Sequence, residues 1–549
     1  MPTLDRRTLL KGTVLASALA GLSACGVSGT GSSGSKVTSL VETIAATPNG
    51  LAFDGPTPGG YEGFSFVALT GAGLIRNPYV QDKSDPNVLT QDLYKWEGVL
   101  ADRYEVSPDG LVYTFHLKQG VKSSKGNELT ADDVIWSYER KWNSTSIDPA
   151  ISYPALTDPA KQLKKIDKYT ISFTLEKRGH GFPFLALISK VSGEIYDSTF
   201  LKTKATKSDP YAVSWCNKNG YSGFGPYILE NYQEGVSLTY TANPNYVLGE
   251  PPIKSITQKV SASAATRASL IKTGSVQVST QLLPADVKSM SGVAGVKTYA
   301  PATNNYSWIF MQTQTAPFDN VKVRQAFFKA VPYEQIINNV YHGRARVAKG
   351  FLNRSAPNDI TEGILDQVYD PEGSLEILRK AGISTPVSFT VICSSSVPDM
   401  REMAVQMQSY GKPAGFDVNI KVVPPATWAA LVGAKNFQMY ITRDMVISYE
   451  SQPYTLTLIY PVGGPSAPGN LCSWGPDEFY DAINRGVDAG DSLSDEAAKY
   501  WHEAELIWQE GRSFIQVCNV DPLMVTSTAV TGFVHRSDNV LDESIFKSA

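Results

Sequence analysis

The stretch SPDGLVYTFHLKQGV, residues 107–121, leaves a chain little freedom in what it can fold into. A Pro-Asp-Gly turn opens it, and Val112, Thr114 and His116 then alternate with Tyr113, Phe115 and Leu117. Successive residues of a strand point to opposite faces, so the alternation predicts a strand buried on one side. A few residues later the period changes. Thr130 is a good N-cap, Asp132 and Asp133 follow where negative charge suits the first helical turn, and Val134, Tyr138 and Trp142 line one helix face. The same grammar returns at 369–382, with Asp370 as cap, Pro371 in the first turn, Leu375 and Leu378 turned inward and Gly382 as the stop. Residues 319–331 read as another capped amphipathic helix. Strands and helices mix along the whole chain without an obvious repeat, which predicts a large α/β protein.

The 549 residues have room for roughly two to four domains by the length prior. Hydrophobic residues at 42% and charged residues at 19% supply a sizeable core. The formal net charge of −4 gives no basic footprint, so no nucleic-acid partner is expected.

The N-terminus reads as an address. In DRRTLLKGTVLASALAGLSAC, residues 5–25, only 13 uncharged residues separate Lys11 from Cys25. A membrane-crossing helix needs about 20 apolar residues, whereas a short apolar run behind a basic cluster is the layout of a secretory signal. Arg6-Arg7 resembles a twin-arginine signal, with Asp5 and Leu9 departing from the usual residues, and Leu22-Ser23-Ala24-Cys25 resembles a lipobox. Cleavage before Cys25 and lipidation of its thiol are expected, followed by a Gly/Ser tether to residue 36. Loss of residues 1–24 would make the remaining chain more acidic, at about −6. In an oxidising compartment one or two disulfides among Cys216, Cys393, Cys472 and Cys518 are plausible, with the pairing left open.

Catalytic motifs are hard to find. No phosphate loop, G-x-S-x-G or H-E-x-x-H is completed, no C-x-x-C occurs, and the five histidines are scattered. A helix start explains Asp132 and Asp133 better than acid–base chemistry does. Neither an enzyme nor a cofactor or metal site is expected.

Residues 100–140, LADRYEVSPDGLVYTFHLKQGVKSSKGNELTADDVIWSYER, resemble the signature of bacterial extracellular solute-binding protein family 5, the oligopeptide-, dipeptide- and nickel-binding components of ABC importers. GFGPYILENYQEGVSLTYTANPNY (223–246), PFDNVKVRQAFFKAVPYEQII (317–337), the 369–382 helix and ATWAALVGAKNFQMYITRD (426–444) follow in the family's order. The resemblance implies a two-lobed, type II periplasmic-binding-protein-like fold with an extra domain inserted in the first lobe. Mapped onto this chain, residues 37–85, 218–302 and 517–549 form lobe I, 86–217 the extra domain and 303–516 lobe II. Crossings between lobes are expected near Ala300-Pro301 and near Ile515.

It also implies a function. The chain is expected to be a monomeric, lipid-anchored receptor outside the cytoplasmic membrane that closes on a solute and delivers it to ABC permease subunits. Short peptides are the expected ligand, and oligosaccharides or another small solute the alternative. Nickel is disfavoured because no histidine lies between His342 and His502. The family's peptide binders hold the ligand's α-ammonium with an aspartate of lobe II, and Asp444 matches that position. Arg443 is its immediate neighbour and a candidate partner, although the segment after Asp444 departs from the family pattern. Aromatic faces for the ligand are sought at Tyr306, Trp308, Trp428, Tyr440, Tyr449, Tyr454 and Trp474, of which two or three are expected at the ligand and the rest in the core. A surface hydrolase and a sensor lipoprotein that has lost transport are the rivals from other classes.

Overall fold

The computed structural model describes residues 36–549 apart from 53, 55–59, 83–87, 147, 222, 302, 304, 446–463 and 467–469. The alternating stretch forms the strand Val112–Leu117, with Tyr113, Phe115 and Leu117 buried and the intervening residues half-buried. It pairs antiparallel with Ala101–Val106 and Thr170–Thr174, and Leu163–Asp167 completes a four-stranded sheet. The helix Ala131–Trp142 packs nearby and starts as the sequence predicts, Thr130 N–H donating to Asp133 Oδ2 at 2.8 Å. Asp133 does more than favour the helix dipole. Its other oxygen accepts from Ser198 N–H at 2.9 Å and Ser198 Oγ at 2.8 Å, which ties the helix start to the next segment.

Two larger sheets carry the rest. The first is seven-stranded and mixed. Its centre is Ser39–Ile44, which runs parallel to Ser255–Val260 on one side and to Val278–Ser279 on the other. Leu40 and Ile44 pack under the helix Gly60–Thr70, while Val525, Ile271 and Val287 belong to a core on helices Ala264–Lys272 and Pro284–Met290. The turn Gly223-Phe224-Gly225-Pro226 passes close to the end of the helix Gly60–Thr70. A Cβ on Gly225 would lie 2.1 Å from the Thr70 carbonyl carbon, so only glycine fits there.

The second sheet is six-stranded, in the order Ala345–Val347, Phe514–Val520, Asn305–Met311, Met439–Met445, Val387–Ser394, Phe416–Val423. Ile309, Met311, Val391, Met439, Ile441 and Val517 fill one face against helices Val321–Ala330, Pro371–Lys380 and Pro398–Gly411. On the other face Trp308 and Phe514 join a core that runs through Trp501 and Trp508 of the helix Asp495–Gly511 into Phe115, Phe173 and Phe184 of the four-stranded sheet and its neighbour helix.

The chain passes between the two large sheets through residues 299–304 and again through 521–524. Ile515, expected near the second crossing, lies inside Phe514–Val520, and the chain leaves the six-stranded sheet only after Val520. One carboxylate ties the crossings together. Asp521 pairs with Arg346 at 2.8 Å and Arg344 at 3.7 Å, Arg344 donates to the Tyr299 carbonyl, and Arg346 donates to the Ala300 carbonyl at 3.2 Å. Thr303 Oγ1 adds a 2.7 Å bond to the Val520 carbonyl.

Two expectations need correction. Leu375 is 38% exposed; in the helix Pro371–Lys380 the inward positions are Leu378 and Ser374, so the apolar stripe is narrower than the leucine spacing suggests. The four cysteines Cys216, Cys393, Cys472 and Cys518 form no disulfide and are all buried. Cys216, Cys393 and Cys518 lie in separate elements and Cys472 in a turn, and burial pushes the thiols of Cys393, Cys472 and Cys518 up to about 12. No helix among the described residues is long and apolar enough to cross a membrane.

Glu42 sits fully buried in the central strand of the seven-stranded sheet, accepting from Gln258 Nε2 at 2.9 Å and Tyr61 OH at 3.4 Å. Burial pushes its carboxyl up to about 7. A raised carboxyl favours the folded state while protonated, and that contribution is lost as pH climbs from the usual glutamate value of 4.5 through about 7. Glu42→Gln is therefore expected to gain roughly 3 kcal/mol over the wild type at pH 8 relative to pH 4, read as the difference between their urea unfolding free energies.

Candidate functional site

The strand Asn305–Met311 begins where the first crossing ends and is bonded antiparallel on both sides. Its alternation divides two tasks. Ile309 and Met311 enter the lobe core, whereas Tyr306, Trp308 and Phe310 belong to the opposite face. Register sets Phe310 against Tyr440, Trp308 against Thr442, Ser307 against Arg443 and Tyr306 against Asp444. Asp444 thus stands across from Tyr306, at the end of the strand pair nearest the first crossing.

The aromatic residues singled out from the sequence fall into distinct settings. Tyr440 is 2% exposed and stacked on Phe310, with centroids 4.7 Å apart and planes 6° from parallel; Trp428 and Phe437 meet it edge-on at 5.6 and 4.9 Å. Trp308 is likewise 2% exposed, against Phe514 at 5.7 Å and Phe310 at 6.0 Å. Both rings are enclosed by other rings. Tyr306, Trp428 and Trp474 are only half-buried. Trp428 leaves its Nε1 without a hydrogen-bond partner among the described residues, and Trp474 packs edge-on against Phe479 at 5.1 Å. Tyr449, Tyr454 and Cys25 lie outside the described residues.

Arg443 is engaged on the core side. Its Nε lies 2.9 Å from Asp399 Oδ2, a carboxylate 3% exposed in the first turn of the helix Pro398–Gly411. Tyr341 OH donates to the same oxygen at 3.3 Å, and Ser307 Oγ bonds to the Tyr341 hydroxyl. Burial and the nearby Asp399 charge hold the Tyr341 phenol well above its ordinary range, so it stays a donor. A chain of four polar side chains, three buried and Arg443 half-buried, therefore fixes the strand pair that carries Tyr306 and Asp444.

Residues 95–465 match the model of the family described as bacterial extracellular solute-binding proteins, family 5 Middle. The chain belongs to that family. Heme-binding protein A of Haemophilus influenzae is 28% identical over 80% of this chain and 81% of its own length. The dipeptide-binding protein of Escherichia coli is 27% identical over 58% of this chain and 62% of its own length. Among solved structures, a dipeptide-binding protein from Pseudoalteromonas sp. SM9913 in complex with Met-Leu superposes with a TM-score of 0.76 at 18% identity, covering 93% of this chain and all of the other. The type II periplasmic-binding-protein-like α/β fold expected from the sequence is the fold found.

Within this family 5 chain, the sequence reading missed Phe310, Tyr341 and Asp399. No local pattern marks them. Asp399 reads as an ordinary first-turn acid behind Pro398, and only the packing of its helix on the sheet brings it to Arg443. Removing it would leave a guanidinium 23% exposed and unpaired. Asp399→Ala is expected to lower stability by about 2–4 kcal/mol in urea unfolding, and Asp399→Asn, which can still accept from Tyr341, by less.

Proposed function

We propose that the chain is the lipid-anchored receptor of an ABC importer, capturing short peptides outside the cytoplasmic membrane and handing them to permease subunits. Residues 1–24 serve as a twin-arginine-like export signal, Cys25 takes the lipid and 25–36 is the tether. Lobe I is built from 37–85, 218–302 and the chain beyond the second crossing at 521–524, the extra domain from 86–217 and lobe II from 303–520, working as a monomer. No covalent chemistry is assigned. The ligand is held between the lobes, and its greater affinity for the closed arrangement drives closure.

The observation that carries this reading is the family match over 95–465 on a body of two large sheets joined by two paired crossings. The peptide assignment draws support from relatives named as dipeptide- and di/tripeptide-binding proteins. Asp444 is assigned to the ligand's α-ammonium, since a carboxylate shut into a cleft needs a cation to offset its lost hydration. Tyr306, Trp428 and Trp474, with Tyr449 and Tyr454, are assigned to packing on the ligand, while Trp308, Tyr440 and Arg443 support the wall behind them.

Calorimetric titration with di- and tripeptides, oligosaccharides and heme tests the ligand class. Peptides with a free amino terminus are expected to bind, and uptake of only one of the others would overturn the peptide assignment while leaving the receptor. Asp444→Asn is expected to weaken such peptides by about ten- to a hundredfold, the value of one charge-assisted contact, while N-acetylated peptides bind both proteins weakly.

A further inference from the structure

A second cavity lies away from the six-stranded sheet. It has a volume of about 270 Å³ and opens between the segment around Phe200–Tyr221 and the strand Tyr227–Gln233; no residue of 303–516 lines it. Three rings form its wall, Phe200 touching both of the others. Phe200 and Tyr221 have centroids 4.7 Å apart, and Phe200 and Trp215 5.7 Å apart. Two ammonium groups reach over these rings, Lys125 Nζ at 5.6 Å from Phe200 and 5.9 Å from Tyr221, and Lys204 Nζ at 5.0 Å from Phe200 and 5.6 Å from Trp215.

Neither lysine forms a salt bridge with a carboxylate among the described residues. Asp197, which bonds to two of these ring residues, is occupied elsewhere as well: it accepts from Ser123 Oγ at 2.6 Å, Tyr221 OH at 2.8 Å, Phe200 N–H at 3.0 Å and Asn127 Nδ2 at 3.0 Å. A ring face attracts an ammonium through its quadrupole without neutralising its charge. The lysines are thus held in place by the rings while their positive charge is left unpaired. The volume corresponds to roughly nine waters at about 30 Å³ each, the room needed by one or two fused flat rings with a short acidic arm.

We propose that this cavity is a second binding site, for a small aromatic carboxylate, with Lys125 and Lys204 taking the carboxylate and Phe200, Trp215 and Tyr221 packing on its ring. Either half of the wall alone would select differently. Two ammonium groups without rings favour any small inorganic anion, and three rings without charge favour any flat apolar molecule. Together they select a molecule that carries both features.

Titration of the purified protein with indole-3-acetate and with its uncharged analogue indole-3-acetamide tests the site. The acid is expected to bind saturably and the amide about tenfold more weakly, with the difference shrinking at high salt. Lys125→Gln and Lys204→Gln are each expected to weaken the acid about fivefold and to leave the amide unchanged. Trp215→Leu, which keeps both charges, is expected to weaken acid and amide alike. Equal binding of the two probes, full binding in the double lysine variant, or no saturable binding of the acid would overturn the proposal. So would acid binding that persists in the lysine variants and is competed away by a dipeptide, which would put the probe in the cleft between the lobes.

Discussion

The strand Asn305–Met311 is where the structure's demands converge. It is bonded on both edges, so its register is fixed twice, by Met439–Met445 and by Phe514–Val520. Its buried face anchors the core of the six-stranded sheet through Ile309 and Met311, and its other face lays down Tyr306, Trp308 and Phe310. A slip of one residue would exchange the two sets and turn aromatic rings into the core of the lobe. The first crossing from the seven-stranded sheet also ends at this strand. Core packing, the aromatic wall and the connection between the sheets therefore all rest on one seven-residue segment.

Behind that strand, polar groups work in the same direction. Asp399 pairs with Arg443, Tyr341 donates to Asp399 and Ser307 bonds to Tyr341, so charges and dipoles face one another in a low-dielectric setting. The buried pair of Arg140 and Asp54, with Oδ1 at 2.7 Å from Nη2, does the comparable task on the helix Ala131–Trp142. Such pairs contribute little net stability over well-packed apolar residues, but leaving one member alone is costly. Their use here is to fix positions.

Local grammar made much of the fold readable. The strand Val112–Leu117 and the helix starts at Thr130 and Asp370 depend on neighbours within a few residues, and they were legible for that reason. Leu375 was not, because helical spacing gives the direction of a side chain relative to its own axis and not the width of the surface the helix meets. The cysteines suggested bridges through their number and compartment, but pairing needs proximity, which the alternation of elements does not provide. The site was legible only through family likeness: Asp444 and Arg443 are neighbours in sequence, yet register alone distinguishes Arg443, opposite Ser307, from Asp444, opposite Tyr306.

The paired connections at 299–304 and 521–524 have a mechanical consequence. A single strap lets two bodies swivel as well as fold, whereas two straps side by side permit folding about one axis and oppose torsion. Asp521, bridging Arg344 and Arg346 between the straps, keeps them from sliding past each other. Were the two sheets to move relative to each other, both straps would have to bend together at that point, as the two pins of one door do.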